Sequence, residues 1–221
     1  MLPIRDENPS SLFPLVNWSI IISCVMIFIW MASGGQSNFE RIVEVYGLSP
    51  SRVMRGDAQY AFLTSIFLHG DMFHLFGNML YLYIFGDNVE DMCGHLGYIA
   101  FYLICGAFAS LTHILTNWGS AIPAIGASGA ISGVLGAYVV LFPKVRILTA
   151  IPFGFFFRIV YVPAYLAIGL WFVYQFLLAF LAAGSGIAYW AHVGGFLSGF
   201  ALARAFARRR HRHPLYYGWA V

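Results

Sequence analysis

The sequence predicts an all-α membrane protein, a bundle of six transmembrane helices, and three observations predict it. Of the 221 residues, 60% are hydrophobic and only 10% charged, where a soluble domain carries about a quarter charged residues. The apolar residues collect in runs separated by short polar or glycine-rich stretches, and at ~20 residues per span plus connections the length accommodates six spans. The formal charge of +3 is concentrated behind the last run, where Arg204, Arg208, Arg209, Arg210 and Arg212 crowd around His211 and His213. Directly after a membrane helix such a cluster marks the cytoplasmic side rather than a nucleic-acid site.

Residues 1–14 are polar and proline-punctuated and read as an irregular cytoplasmic tail. Arg5, Asp6, Glu7 and Pro9 lack the pattern of a cleavable signal, so the first apolar run, Leu15 to Ala32, is expected to remain as a span. Residues 33–72 carry Arg41, Glu44, Arg52, Arg55 and Asp57 beside Phe39, Ile42, Val43, Val45 and Tyr46 in a partly helical rhythm. Apolar residues at that density do not float free in water, so this loop is read as packing on the bundle in the interface. The second span runs from Met72 to Val89 and the third from Leu96 to Leu115, with a loop of turn-forming residues over 116–125. The fourth begins at Gly126 or Ser128 and stops at Pro143. That is only ~16 residues, or ~24 Å of helix, less than the hydrocarbon thickness, so its serine end is expected at the floor of a cavity.

Lys144, Arg146, Pro152 and Arg158 belong to a connection, the fifth span covers Val162 to Ala183, and the sixth covers Ala188 to Phe206. The division is therefore a tail over 1–14, a six-helix membrane domain over 15–206 and a basic cytoplasmic tail over 207–221. With an even number of spans both termini share the cytoplasmic side with Lys144, Arg146 and Arg158. Ser128, His192 and His74 then lie toward the outer face.

A hydroxyl and an imidazole are costly in a bilayer unless they have work to do. Ser128 lies in Gly126-Ala127-Ser128-Gly129 at the head of one apolar helix, and His192 in Ala191-His192-Val193-Gly194-Gly195 at the head of another. An imidazole that takes the proton of a serine hydroxyl makes it a nucleophile. No Asp or Glu lies near the sixth span, so this is a dyad, and packing or another hydrogen bond must set the tautomer of His192. His74 and Asn78 are four apart and share a helix face. With the Ser128 N–H they are candidates for stabilising an oxyanion. Gly129 and Gly133 on the fourth span, and Gly195 and Gly199 on the sixth, form small-xxx-small faces that let two helix backbones approach closely. Glu90 reads as a structural group bonding backbone at the second turn, and His69, His95 and His113 are assigned no chemistry. Phe172, Phe176 and Phe180 line one face of the fifth span beside a small-residue hinge, Ala182-Ala183-Gly184-Ser185-Gly186, and mark a candidate gate. Cys24, Cys93 and Cys105 show no metal or disulfide spacing, and no metal or cofactor is expected.

The combination of Gly126-Ala127-Ser128-Gly129, Ala191-His192-Val193-Gly194-Gly195 with Gly199, and His74-Leu75-Phe76-Gly77-Asn78 followed by Glu90 resembles the rhomboid intramembrane serine proteases. The resemblance implies a six-helix bundle in the cell membrane that hydrolyses single-span transmembrane substrates, among membrane lipids, near the outer face. It implies Ser128 as nucleophile, His192 as base and His74 with Asn78 as oxyanion donors. Where many members carry an aromatic residue one turn after the serine, this chain has Ser132.

Overall fold

The computed structural model describes residues 1–154, 156–182 and 186–207. In chain order the elements are strand β1 (Leu2–Asp6), helix α1 (Leu15–Ser33), α2 (Gly35–Tyr46), α3 (Pro50–Met54), α4 (Ala61–Thr64) with a 3₁₀ turn (Ser65–Phe67), α5 (Met72–Tyr81), a π-helical turn (Leu82–Gly86) and α6 (Asp87–Cys93). They continue with α7 (His95–Thr116), α8 (Ser128–Leu141), strands β2 (Arg146–Phe153) and β3 (Phe156–Pro163), α9 (Ala164–Leu181) and α10 (Tyr189–Phe206). Three helices, α1, α7 and α9, are long and apolar enough to cross a membrane. The other runs expected as spans take different forms. The second is continuous from Met72 to Cys93 but carries the π turn, α8 is a short apolar helix of 14 residues, and α10 holds 18. The basic residues Arg208, Arg209, Arg210 and Arg212, with His211 and His213, lie outside the described residues.

Two polar side chains organise the junction of α1 with α5 and α6. Glu90 is fully buried and accepts from the Val16 and Asn17 N–H groups at 2.9 and 2.7 Å, which supplies acceptors to donors that the first turn of α1 leaves open. It also bonds His95 Nδ1 at 2.5 Å, so the structural reading of Glu90 holds, with α1 as its object. Asn17 Nδ2 donates to the Leu82 carbonyl at 2.9 Å, and its Oδ1 accepts from the Tyr98 hydroxyl at 2.9 Å. Leu82 begins the π turn, so Asn17 ties α1 both to that turn and to α7.

The 33–72 segment is not a single loop. It folds as α2, α3 and α4 and is tied to the loop before α8. Leu48 pairs with Ala124, and the Gly126 N–H donates to the Ser65 carbonyl at 2.9 Å. Ile42, Leu48, Val53 and Ala61 are buried, at most 8% exposed, Phe39, Val43 and Val45 are half-buried, and Tyr46, Met54, Tyr60 and Leu63 stay exposed.

The all-α expectation needs correcting, since the fold is mostly helical but carries a three-stranded antiparallel sheet in the order β1-β2-β3. The tail read as irregular contributes β1, with Leu2 opposite Ala150 and Asp6 opposite Ile147, and the basic connection folds as the β2–β3 hairpin. The sheet follows the end of α8 and precedes α1 and α9, so it closes the face opposite Ser128. Polar contacts pin β1 there. Tyr138 on α8 donates to Asp6, Asn88 Nδ2 donates to Asp6 Oδ2 at 3.1 Å, Ser10 donates to Asp87 at 2.9 Å, and Glu7 pairs with Arg146 at 2.7 Å.

Burial pushes the Asp6 carboxyl up to about 6; the hydrogen bond from Tyr138 opposes this and the charge of Asp87 adds to it. A folded-state value above the ordinary 3.8 means that the fold favours the protonated acid. The contribution is complete below about pH 4 and is lost as pH rises through about 6. Hydrogen exchange of the β1 amides, corrected for intrinsic rates, should therefore be slower at pH 5 than at pH 7.5, and Asp6→Asn should flatten the difference.

Candidate functional site

The site assembles where α5, α8 and α10 begin. Ser128 is the first residue of α8, with an N–H that has no intrahelical acceptor. His192 lies in the first turn of α10, and its Nε2 is 2.8 Å from Ser128 Oγ. The two residues singled out on separate helices are therefore in direct hydrogen-bond contact. His192 is flanked by the rings of Trp171 and Tyr189, at 6.3 and 6.2 Å between centroids. Ser132 does not take the place of an aromatic neighbour. Its hydroxyl donates to the Ser128 carbonyl at 2.6 Å, and Trp171 from α9 faces the imidazole instead.

α5 is capped by Asp71, whose side chain accepts from the His74 N–H at 2.8 Å. His74 Nδ1 accepts from the Gly70 N–H at 3.4 Å, which leaves Nε2 as the protonated nitrogen. Gly126 joins this group to Ser128. Its φ of +126° is one that side chains rarely adopt, and a Cβ there would lie 2.7 Å from His74 Nε2 and 3.6 Å from Ser128 Oγ. The bare Cα of Gly126 thus keeps open a space between an N–H donor and the serine hydroxyl. Asn78, one turn beyond His74, is buried, and its Nδ2 has no hydrogen-bond partner among the described residues. His69, fully buried, packs edge-on against His74 at 5.1 Å. Burial, together with the neighbouring His74, lowers its pKa to about 4, so it is neutral at physiological pH.

Close packing of α8 on α10 makes the contact possible. A Cβ on Gly195 would overlap the Gly129 carbonyl, one on Gly199 the Gly133 carbonyl, and one on Gly136 the Phe196 carbonyl. From the other side α7 presses Ala109 and Cys105 onto Gly129 and Gly133. Gly129, Gly133, Gly195 and Gly199 lie along this contact, and Gly136 extends the seam.

Gln175 went unrecognised in the sequence. It projects from α9, is 9% exposed, and places Oε1 2.8 Å from His192 Nδ1. The available signal was a polar residue inside an apolar span. Of the candidate gate, Phe172 stacks on Phe196 at 4.2 Å and Phe180 meets Trp190 edge-on at 4.9 Å, so this face looks toward α10. The hinge residues Ala183, Gly184 and Ser185 lie outside the described residues. A cavity of about 30 Å³ beside Ser128, lined by Ser65, Ser110, His113 and Gly126 among others, has room for one or two water molecules.

A family model, the rhomboid domain, matches residues 57–209. The chain belongs to the rhomboid family. It is 32% identical over 84% of its length to Rhomboid protease GluP of Bacillus subtilis, which it covers to 33%. It is 32% identical over 70% of its length to Rhomboid protein 1, mitochondrial, of Saccharomyces cerevisiae, covering 45% of that protein. To RHOMBOID-like protein 4 of Arabidopsis thaliana it is 31% identical over 78% of its length, covering 39%. The chain thus spans less than half the length of each of these relatives. As a rhomboid with apolar helices of spanning length, it is a multi-pass membrane protein.

The glycine seam yields a prediction. Even Gly199→Ala puts a methyl group into the Gly133 carbonyl, so α8 and α10 must separate. A shift of ~1 Å at a catalytic constellation costs on the order of 100-fold in rate. Both thermal stability in detergent and reaction of Ser128 with a fluorophosphonate should fall, whereas Gly169→Ala on α9, where a Cβ meets nothing within 4 Å, should change neither.

Proposed function

We propose that this rhomboid is an intramembrane serine protease that cleaves single-span transmembrane substrates at the face where α8 and α10 begin. The observation that carries the reading is the 2.8 Å contact of His192 Nε2 with Ser128 Oγ, on two helices of a chain built for a bilayer. Ser128 attacks the scissile carbonyl as His192 takes its proton, and the tetrahedral oxyanion forms in the space beside Gly126. His74 Nε2–H, the Asn78 amide and the Ser128 N–H are its donors. The unpartnered Asn78 Nδ2 supports this role, because a donor kept for the transition state has no acceptor in the resting enzyme. The cavity beside Ser128 supplies space for the water that releases the acyl-enzyme. Gly129, Gly133, Gly195 and Gly199 hold the two catalytic helices together, and the chemistry calls for no cofactor.

In this reading the chain makes six passes through the cell membrane, counting the second run, α8 and α10 as spans beside α1, α7 and α9. Ser128 at the start of a short helix is sunk among longer neighbours. Arg5, Lys144, Arg146 and Arg158 belong to the sheet face, and Arg204 in the last turn of α10 lies toward the same side. That side is cytoplasmic, as are both termini, and the site opens toward the outer face. Membrane lipids and transmembrane proteins are its partners.

Ser128→Ala and His192→Ala should each abolish cleavage of a transmembrane substrate in proteoliposomes and leave thermal unfolding unchanged. A fluorophosphonate should label the parent protein at Ser128 and spare the His192→Ala variant; full labelling of that variant would remove the dyad.

Asn78→Ala should lower kcat with little change in KM, since an oxyanion donor acts mainly in the transition state. Loss of one donor costs on the order of 10²–10³ in kcat where it acts alone. His74→Ala should act in the same direction, and wild-type rates in both variants would return the pair to a structural role.

A further inference from the structure

A neutral imidazole carries one proton, and the nitrogen that holds it decides whether His192 can act as a base. Nε2 faces Ser128 Oγ at 2.8 Å, so it accepts a proton only if Nδ1 holds the ring's own. An Nδ1–H buried in an apolar bundle needs an acceptor in turn. Among the described residues no carboxylate hydrogen-bonds to this ring. The polar atom that does meet Nδ1 is Gln175 Oε1, at 2.8 Å from α9. The rings around the imidazole, Trp171 and Tyr189, wall it in without supplying that acceptor.

We infer that Gln175 is the positioning residue of the site, holding His192 in the tautomer that can deprotonate Ser128. The inference rests on the protease reading and adds a third member to it. As Ser128 Oγ bonds to the substrate carbonyl carbon, its proton passes to Nε2, giving an imidazolium that donates from both nitrogens. When the peptide C–N bond breaks, the Nε2 proton passes to the leaving amine. The Nδ1 proton stays in place throughout, directed at Gln175 Oε1, and Gln175 exchanges no proton. A side-chain amide cannot lose a proton under these conditions, so it fixes the tautomer and the ring plane without adding a charge to the bilayer interior. A buried carboxylate there would need a neutralising partner. The requirement also orients the amide. Only Oε1 facing Nδ1 leaves Nε2 free to accept, because an NH₂ group there would drive the proton to Nε2.

Gln175→Met keeps the length of the side chain and removes the acceptor, whereas Gln175→Glu restores one. With a fluorogenic transmembrane peptide in proteoliposomes, Gln175→Met should lower kcat on the order of 100-fold, with KM within about twofold. Fluorophosphonate labelling of Ser128 should slow in parallel. Gln175→Glu should recover at least a tenth of the parent rate. Equal losses in the Met and Glu proteins, with both folded by thermal unfolding, would make Gln175 a packing residue and overturn the inference. So would an unchanged rate in Gln175→Met. Should the Met protein not fold, Gln175→Asn, whose oxygen falls short of Nδ1, takes its place in the same comparison with Glu. A parent protein that neither cleaves the peptide nor reacts at Ser128 would refute the protease reading itself, an outcome distinct from all of these.

Discussion

A serine on one helix and a histidine on another meet at 2.8 Å only if the helices nearly touch. Packed helices ordinarily keep their axes about 8–10 Å apart, a spacing set by the side chains between them. Between α8 and α10 there are almost none. Carbonyls of Gly129, Gly133 and Phe196 rest where a Cβ on Gly195, Gly199 or Gly136 would be, so backbone lies on backbone. Such contacts gain dispersion and weak Cα–H···O interactions along their length. In an apolar surround, where burying more hydrocarbon drives nothing, they are a main source of helix association. α7 completes the clamp with Ala109 and Cys105, residues small enough to follow the glycines inward. The placement of Ser128, the floor at Gly126 and the reach of Gln175 all depend on this seam.

Several of the polar bonds around the seam go to backbone at helix starts and at the π turn. Glu90 and Asn17 answer the open donors of α1 and a carbonyl of the π turn, and Asp71 answers the start of α5. The molecule thus divides its polar side chains into two groups. Those at helix starts are spent on the protein's own backbone, and those on the sheet side on one another. At the reactive face, Asn78 Nδ2 is free of partners among the described residues, and Ser128 Oγ and His192 are bonded to one another.

The parts legible in the sequence are those whose signal is local. Ser128 and His192 are conspicuous because each interrupts an apolar run and each is followed by glycines at helical spacing. The shortness of α8 is visible between Gly126 and Pro143. The sheet is not local, since β1 pairs with β2 across some 140 residues and its five residues include a proline and two charges. Nothing in Leu2–Asp6 alone favours a strand over a tail. The hairpin hides in a different way: a short apolar run such as Ile147–Ile151 fits a strand or a buried turn equally well. Gln175 was visible as an isolated amide in an apolar helix, but its target depended on how α9 is rotated about its axis. That rotation follows from aromatic stacking of Phe172 on Phe196, which no periodicity reveals.

The attachment of α9 has a mechanical consequence. Its first residues are held, with the Ala164 N–H on the Val145 carbonyl at 2.8 Å and the Tyr165 N–H on the Pro143 carbonyl at 3.0 Å, while β3 anchors the chain just before them. Its other end stands beside the start of α10. The helix is therefore a lever of about 27 Å with its pivot in the sheet. A tilt of about 5° carries Gln175, some 17 Å from the pivot, through about 1.5 Å, enough to break a hydrogen bond of normal length. A lateral tilt of α9 and the alignment of the His192 ring are thus one mechanical coordinate.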